Sequence, residues 1–415
     1  MSEFDVLVIG AGMAGLSAGR ALAEAGLRVV LLEGRDRVGG RILTVRAGDE
    51  VVEMGAEFVH GRPQELWDLI GEAGLQTYER TGEFLRAGDG GFESEGDEDE
   101  EPLEDLKTYE GPDLSFAQYV EGLGLSATKK VEAIGYVEGF NAADAREASI
   151  IGLGRQQVAE DAIEGDRLWR IKDGYDRVPE FLLERFEVAG GRVMLGACVK
   201  EIAWERGRVV VKTSAGEFRA AKAVVTLPLG VLQAGVVTFS PEPAGVMAAA
   251  RRMRMGQVCR FTLVFKKMLW PEGMSFLMAR EAMPPVWWSA WPSAGLTMTG
   301  WVGGPRADEL MGDMDLQARG MAGLAAALGV SEDVVSKELI GVHVHDWASD
   351  EFARGAYSWV PVGGVDASAE MGVPMEETLF FAGEHTDTTG HWGTVHAALR
   401  SGLRVAGQVL ESIGE

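Results

Sequence analysis

Residues Val6 to Arg41 read VLVIGAGMAGLSAGRALAEAGLRVVLLEGRDRVGGR. Val6–Ile9 is a short run of branched apolar residues, the pattern of a strand buried on both faces of a parallel sheet. It runs directly into Gly10, Gly12 and Gly15. The first glycine lets the chain turn out of the strand. The second has no side chain to keep a pyrophosphate off the backbone, and the third lets the next helix sit close to the sheet. That helix, expected over Ala14–Ala25, aims its free N–H groups and its dipole at the phosphates. A second strand, Arg28–Leu32, delivers Glu33, an acid placed to accept from ribose hydroxyls. A lone GxGxxG is weak evidence in a chain with 56 glycines. Here the strand, the helix and the acid accompany it, and together they mark a dinucleotide site built on Gly10, Gly12, Ala14, Gly15 and Glu33.

The residues that follow narrow the choice of dinucleotide. Glu33-Gly-Arg35-Asp-Arg37-Val-Gly39-Gly40-Arg41 resembles the E-x-R-x-x-x-G-G-R stretch of FAD enzymes in the flavin amine oxidase superfamily, which nicotinamide dehydrogenases generally lack. Gly39 and Gly40 would let backbone approach the cofactor again. Arg35 and Arg41 could balance its two phosphate charges; each alone could equally be a surface salt bridge.

Length and composition fit this reading. With 415 residues, the chain is too long for one compact core, so two domains are expected. No signal peptide precedes the first strand, no apolar run is long enough to span a membrane, and Leu410–Glu415 carries no hydrophobic tail. A soluble member of the superfamily is therefore expected, unlike the membrane-anchored monoamine oxidases. Two cysteines, Cys198 and Cys259, are too few for a disulfide framework and suit the reducing cytoplasm. The net charge is −25, and removing the ten acids of the acidic run Asp89–Asp105 still leaves −15. Nucleic acid is thereby disfavoured as a partner. The acidity could attract small cations, or serve solubility alone. The acidic run itself reads as a mobile surface loop.

Further motifs extend the resemblance. Gly55-Ala56-Glu57-Phe58-Val59-His60-Gly61 resembles the GA-x-[WF]-[VI]-H-G segment of polyamine oxidases. The resemblance implies that Gly55, Ala56, Glu57 and Phe58 run along the flavin ring and that His60 faces the substrate. Read alone, His60 could equally be a hydrogen-bonded structural histidine. Thr226-Leu-Pro228-Leu-Gly-Val-Leu232 is similar to a phrase of the polyamine oxidase and histone demethylase branch, and implies cofactor contacts near Pro228 and at the Val199 backbone. Arg354-Gly-Ala356-Tyr357-Ser-Trp359 resembles a segment lining the substrate pocket. Covalently flavinylated monoamine oxidases have cysteine where this chain has Ala356, so non-covalent FAD is implied. Phe380-Phe-Ala-Gly383-Glu384-His385-Thr386, followed by Thr394-Val395-His396 at the start of a helix, is very close to the superfamily's C-terminal block. That helix would place Val395, Leu399, Leu403, Ala406 and Leu410 on one side. Its first N–H groups, at Thr394 and Val395, would stabilise negative charge on the reduced flavin.

The implied fold is α/β with two domains. Residues 1–85, 170–240 and 365–415 would form a Rossmann-like FAD domain. Residues 86–169 and 241–364 would form a substrate domain with a mixed sheet and helices. The implied reaction transfers hydride from the carbon beside an amine nitrogen to the flavin, with imine hydrolysis and reoxidation by O2 to peroxide. Tyr357, Trp359 and Trp392 are the aromatic candidates for holding an amine; for the two tryptophans, plain core packing is an equal alternative. Monoamine oxidases sandwich the amine between two tyrosines. Tyr357 matches one of them, but Thr394 occupies the other position. His343 and His345, at strand spacing, lack the convergent ligands a metal needs. Gly256-Gln-Val-Cys-Arg260-Phe-Thr-Leu-Val-Phe265 resembles the strand that carries a lysine against the flavin in most of the superfamily. This chain has Arg260 there, and strand alternation puts Arg260, Thr262 and Val264 on one face. A salt-bridged arginine at the domain interface is the alternative. Two other functions stay open, a flavin desaturase acting on a carbon–carbon bond and a flavin-bound scaffold. The sequence does not name the amine or the oligomeric state.

Overall fold

A computed structural model describes residues 4–88, 91–94, 103–311 and 315–414. Its first sheet is wholly parallel and runs Arg192–Met194, Val29–Leu32, Val6–Ile9, Lys222–Val225, Leu379–Phe381. The strands come from the start, middle and end of the chain. Val6–Ile9 and Val29–Leu32 are buried along their whole length, which explains their unbroken branched-apolar runs.

The helix Met13–Glu24 packs against the C-terminal helix Val395–Gly414. Ser17 Oγ donates to the Leu399 carbonyl at 3.1 Å. A Cβ on Gly402 would sit 2.0 Å from Ser17 Oγ. The buried stripe of the C-terminal helix therefore follows its small residues, with Gly402, Val405, Ala406 and Val409 inside. Leu403 and Leu410, expected on the buried side, are exposed. Close approach of two helices selects small side chains, and hydrophobicity alone does not locate such a seam.

A second sheet has seven strands, in the order Leu339–Val344, Val258–Phe265, Thr297–Gly303, Val286–Ser289, Met274–Met278, Glu83–Gly88, Gly91–Ser94. It is mixed, because Met274–Met278 pairs parallel with Glu83–Gly88 and the other pairings are antiparallel. The expected domain boundary at residue 85 thus falls inside a strand. Gly91–Ser94 and the helical turn Glu104–Thr108 are regular structure within the expected acidic loop; residues 89–90 and 95–102 lie outside the described residues.

The strand Val258–Phe265 is buried on both faces. Cys259, Phe261, Leu263 and Phe265 enter one apolar core. Val264 packs on the other side with Val52 and Met54. Arg260 shares that second face, as alternation requires.

Three helices, Phe116–Gly122, Ala127–Asn141 and Ile150–Asp161, fill the stretch between the helical turn Glu104–Thr108 and the cofactor-domain return. Ser115, Ser126 and Ser149 cap them by accepting from Gln118, Lys129 and Gly152 backbone N–H groups at 3.3, 3.2 and 2.9 Å. Among the described residues, no helix is long and apolar enough to cross a membrane.

Candidate active site

One cavity of about 1940 Å³ runs from the glycine-rich turn to the seven-stranded sheet. Sites for a single small molecule usually measure about 300–1,000 Å³, so this space suits a dinucleotide with a substrate beyond it. The cavity is lined by Gly10, Gly12, Ala14, Glu33, Arg35, Gly39, Gly40 and Arg41, and further along by Gly55, Ala56, Glu57, Phe58 and His60. Pro228, Arg260, Tyr357, Trp359, Gly383, Glu384, Trp392, Thr394 and Val395 complete the set of expected residues along it. Two expected residues stand outside. Gly15 acts through packing, because a Cβ there would meet the Gly10 carbonyl oxygen at 1.9 Å. Val199 begins a strand and packs its side chain into the core behind the parallel sheet.

The dinucleotide end has the donors and acceptors the cofactor needs. Glu33 is buried, and its two carboxylate oxygens accept from the Ala11 and Arg35 backbone N–H groups at 2.8 and 2.9 Å. A carboxylate has about four lone-pair sites, so acceptor capacity remains for ribose hydroxyls. Gly12 and Gly40 face each other, and a Cβ on Gly40 would come within 3.3 Å of Gly12 Cα. Arg37, which sequence reasoning did not assign, shapes this loop by donating to the carbonyls of Val38, Ile42 and Gly40 at 3.1, 3.0 and 2.8 Å. Arg35 forms a two-pronged pair with Asp350 at 2.8 and 2.7 Å and stacks over Phe352. Asp350 balances its charge, and the side chain still lines the cavity. Asp350 also bonds His345, just past the strand Leu339–Val344, at 3.0 Å. Arg41 donates through one nitrogen to the Ala356 carbonyl and to Glu384, at 2.8 and 2.9 Å. Glu384 also accepts from Ser358 Oγ at 2.5 Å and Gly393 N at 3.0 Å.

Near Gly55–Phe58 the chemistry is denser. Glu57 pairs with Arg260 at 2.5 Å and with Arg170, and accepts from Trp288 Nε1 at 3.1 Å. Burial opposes the charge on Glu57, but Arg170 and Arg260 outweigh it and hold the carboxyl below its ordinary range. Arg260 also donates to the Gly55 carbonyl at 2.9 Å, while its Nε is buried without a partner. Arg260 therefore both lines the cavity and is salt-bridged. Arg170 and Trp288 were not assigned from sequence. Strand alternation was the available signal, since Trp287 is buried in the core and Trp288 turns to the cavity.

His60 lies edge-on to Phe58 and Phe140, with ring centroids 6.2 and 6.1 Å apart. Burial lowers its pKa to about 4, so the ring is neutral at physiological pH. The Tyr357 hydroxyl donates to the Phe140 carbonyl at 2.7 Å. Trp301, missed by sequence reasoning, stacks on Tyr357 at 6.5 Å and donates from Nε1 to the Gly139 carbonyl at 2.8 Å. This aromatic wall is thus pinned to the end of the helix Ala127–Asn141. Trp392 donates to Ser368 Oγ at 2.7 Å, and Trp359 packs among the three helices; each also reaches the cavity. Thr394 Oγ1 donates to the His391 carbonyl at 2.8 Å and accepts from Ala397 N at 3.2 Å. It therefore caps the C-terminal helix beside Tyr357 and Gly393. Helix geometry leaves the first N–H groups of that helix without intrahelical acceptors.

Comparison with known proteins agrees with this geometry. The family described as "Flavin containing amine oxidoreductase" matches residues 13–410. Polyamine oxidase 3 of Oryza sativa subsp. japonica is 29% identical over 97% of this chain and 88% of its own. Lysine-specific histone demethylase 1 homolog 2 of the same organism is 28% identical over 98% of this chain and 57% of its own. Among solved structures, putrescine oxidase bound to putrescine superposes with a TM-score of 0.83 at 22% identity, over 98% of this chain and 99% of that one. Cyclohexylamine oxidase from Brevibacterium oxydans IH-35A gives 0.84 at 19%, over 99% and 100%. With the family match spanning nearly the whole chain, the protein belongs to the flavin-containing amine oxidoreductases.

Proposed function

We propose that this chain oxidises a small amine on a non-covalently held FAD, with O2 as the final electron acceptor. When bound, FAD supplies the hydride acceptor. The observation that carries the reading is the continuity of one cavity from the Glu33 end to the wall of Tyr357, Trp301 and His60. Aromatic faces attract an amine arriving as a cation. A neutral His60 adds no repelling charge to that wall. The substrate must lose its ammonium proton before hydride leaves the α-carbon. The resulting imine then takes up water and yields a carbonyl compound with ammonia, or with an amine where the substrate nitrogen is secondary. Glu33 and Arg41 would hold the cofactor's ribose and phosphate groups, and the chain's main task at the amine is orientation. The test is anaerobic mixing of the yellow holoprotein with a panel of mono-, di- and polyamines. Loss of flavin absorbance, and peroxide release in air, is the expected result. Failure of every amine to bleach the flavin refutes the proposal and returns attention to a carbon–carbon dehydrogenase or a scaffold.

Ala356 lines the cavity, and neither Cys198 nor Cys259 does. Acid precipitation is accordingly expected to release the yellow cofactor into the supernatant. Colour retained in the washed pellet contradicts non-covalent binding.

A further inference from the structure

We propose that the N-terminal half of the helix Ala127–Asn141 is a gate over the cavity mouth, hinged at Gly135 and latched by the ion pair of Glu132 with Arg280. Such a gate is separate from the amine chemistry and governs access to it.

The mouth is marked by side chains that line the cavity and are also exposed. Val131, Tyr136 and Phe140 come from the helix, and Phe84 and Phe92 from the edge of the seven-stranded sheet. The opening therefore lies between the helix and that edge. Arg280, just past the neighbouring strand Met274–Met278, reaches across it to Glu132.

The two halves of the helix are held differently. Of its fifteen residues only Ala133 and Val137 are buried. The C-terminal half is fastened through its backbone. The Gly139 carbonyl accepts from Trp301 Nε1 at 2.8 Å, and the Phe140 carbonyl from the Tyr357 hydroxyl at 2.7 Å. Asn141 Nδ2 donates to Gln156 at 2.6 Å. A Cβ on Gly303 would stand 2.4 Å from the Gly139 carbonyl oxygen, so this end lies directly against the sheet. Ahead of Gly135, Ala133 and the half-buried Ile134 pack inward, and the remaining holds are surface side chains. Lys130 Nζ reaches Glu121 at 2.7 Å. Glu132 and Arg280 pair with side chains that are 21% and 36% exposed. A pair so exposed adds little stability, which suits a contact that must break each time the cavity opens.

Gly135 separates the halves. A Cβ there would meet nothing within 4 Å, and its φ lies outside the left-handed region. Neither packing nor backbone geometry asks for glycine at this position, yet glycine weakens a helix interior. Its effect is to lower the cost of opening the helix at that point. Lys129 and Arg306 are further cations along the cavity. Lys129 travels with Glu132 on the gate, and Arg306 acts on Glu138 at the fastened end. Arg280 joins the gate to the opposite wall.

Hydrogen exchange, read peptide by peptide on the flavin-loaded enzyme, tests the device in the wild type, Arg280→Gln, Arg280→Lys and Gly135→Ala. In the wild type, amides of residues 129–134 are expected to exchange about tenfold faster than those of residues 138–141. Arg280→Gln should speed the first group by about two- to fivefold and leave the second unchanged. Arg280→Lys, which keeps the charge, should stay near the wild type. Gly135→Ala should slow the first group by about fivefold. Anaerobic stopped-flow bleaching of the flavin by n-hexylamine reads entry. Its second-order rate constant at low amine should rise in Arg280→Gln and fall in Gly135→Ala, which alters no charge. Equal exchange in the two halves of the wild-type helix overturns the gate, as does exchange that none of the variants moves. Exchange that shifts while the bleaching constant does not shows an opening helix without control of entry, and also overturns it. An enzyme that no amine bleaches refutes amine oxidation, and the exchange pattern alone then decides whether the helix opens at Gly135.

Discussion

Glu57→Gln is expected to lower the free energy of unfolding by about 3–5 kcal/mol, the cost of removing one partner from a buried ion cluster. Glu57 accepts from groups in separate parts of the fold. Arg170 comes from the small sheet that also carries His60, while Arg260 and Trp288 come from the seven-stranded sheet. Glutamine keeps the shape but not the charge, so two buried guanidinium groups would face each other uncompensated. The cluster also links stability to pH. The folded carboxyl titrates below its ordinary value, so its stabilisation is complete above the unfolded pKa and is lost as pH falls through the folded one. Denaturant titration of wild type and variant at neutral pH measures the difference. A loss under about 1 kcal/mol, typical of an exposed pair, shows that the cluster does not hold the sheets together.

The parallel-sheet core was legible because its constraints are local. Val6–Ile9, the three glycines and Glu33 lie within one short stretch, and each does in the fold what its residue type allows. The Val258–Phe265 strand was legible for the same reason, its composition being that of a strand over the whole element. What escaped reading depends on partners distant in sequence. Asp350 neutralises Arg35 across a separation of 315 residues. The buried seam of the C-terminal helix is set by Ser17, so Gly402 mattered more than Leu403. Trp301 joins the aromatic wall only because the Ala127–Asn141 helix brings the Gly139 carbonyl to its indole.

Arg260→Lys is expected to speed reoxidation of the reduced enzyme by O2 by about tenfold, the effect of a barrier change near 1.4 kcal/mol. A positive group beside the reacting centre stabilises the negative charge that oxygen acquires, provided the charge is not already cancelled. In this chain the guanidinium is spread over two fixed contacts, the Gly55 carbonyl at 2.9 Å and Glu57 at 2.5 Å. Its planar fork cannot turn from them without leaving Glu57 half-paired. Lysine offers a compact ammonium with rotatable donors, and it cannot span both acceptors as the fork does. The released charge, and the volume vacated by the guanidinium, would then be available to oxygen or to a water. The same change removes a charge-assisted bond from the Glu57 cluster, so a small fall in the unfolding midpoint should accompany it. Stopped-flow mixing of anaerobically reduced enzyme with oxygenated buffer reads the rate directly, and thermal unfolding of the same samples reads the second effect. A reoxidation rate unchanged in a folded, flavin-loaded Arg260→Lys enzyme would leave Arg260 as a structural brace between Gly55, Glu57 and the sheet, with no part in oxygen reactivity.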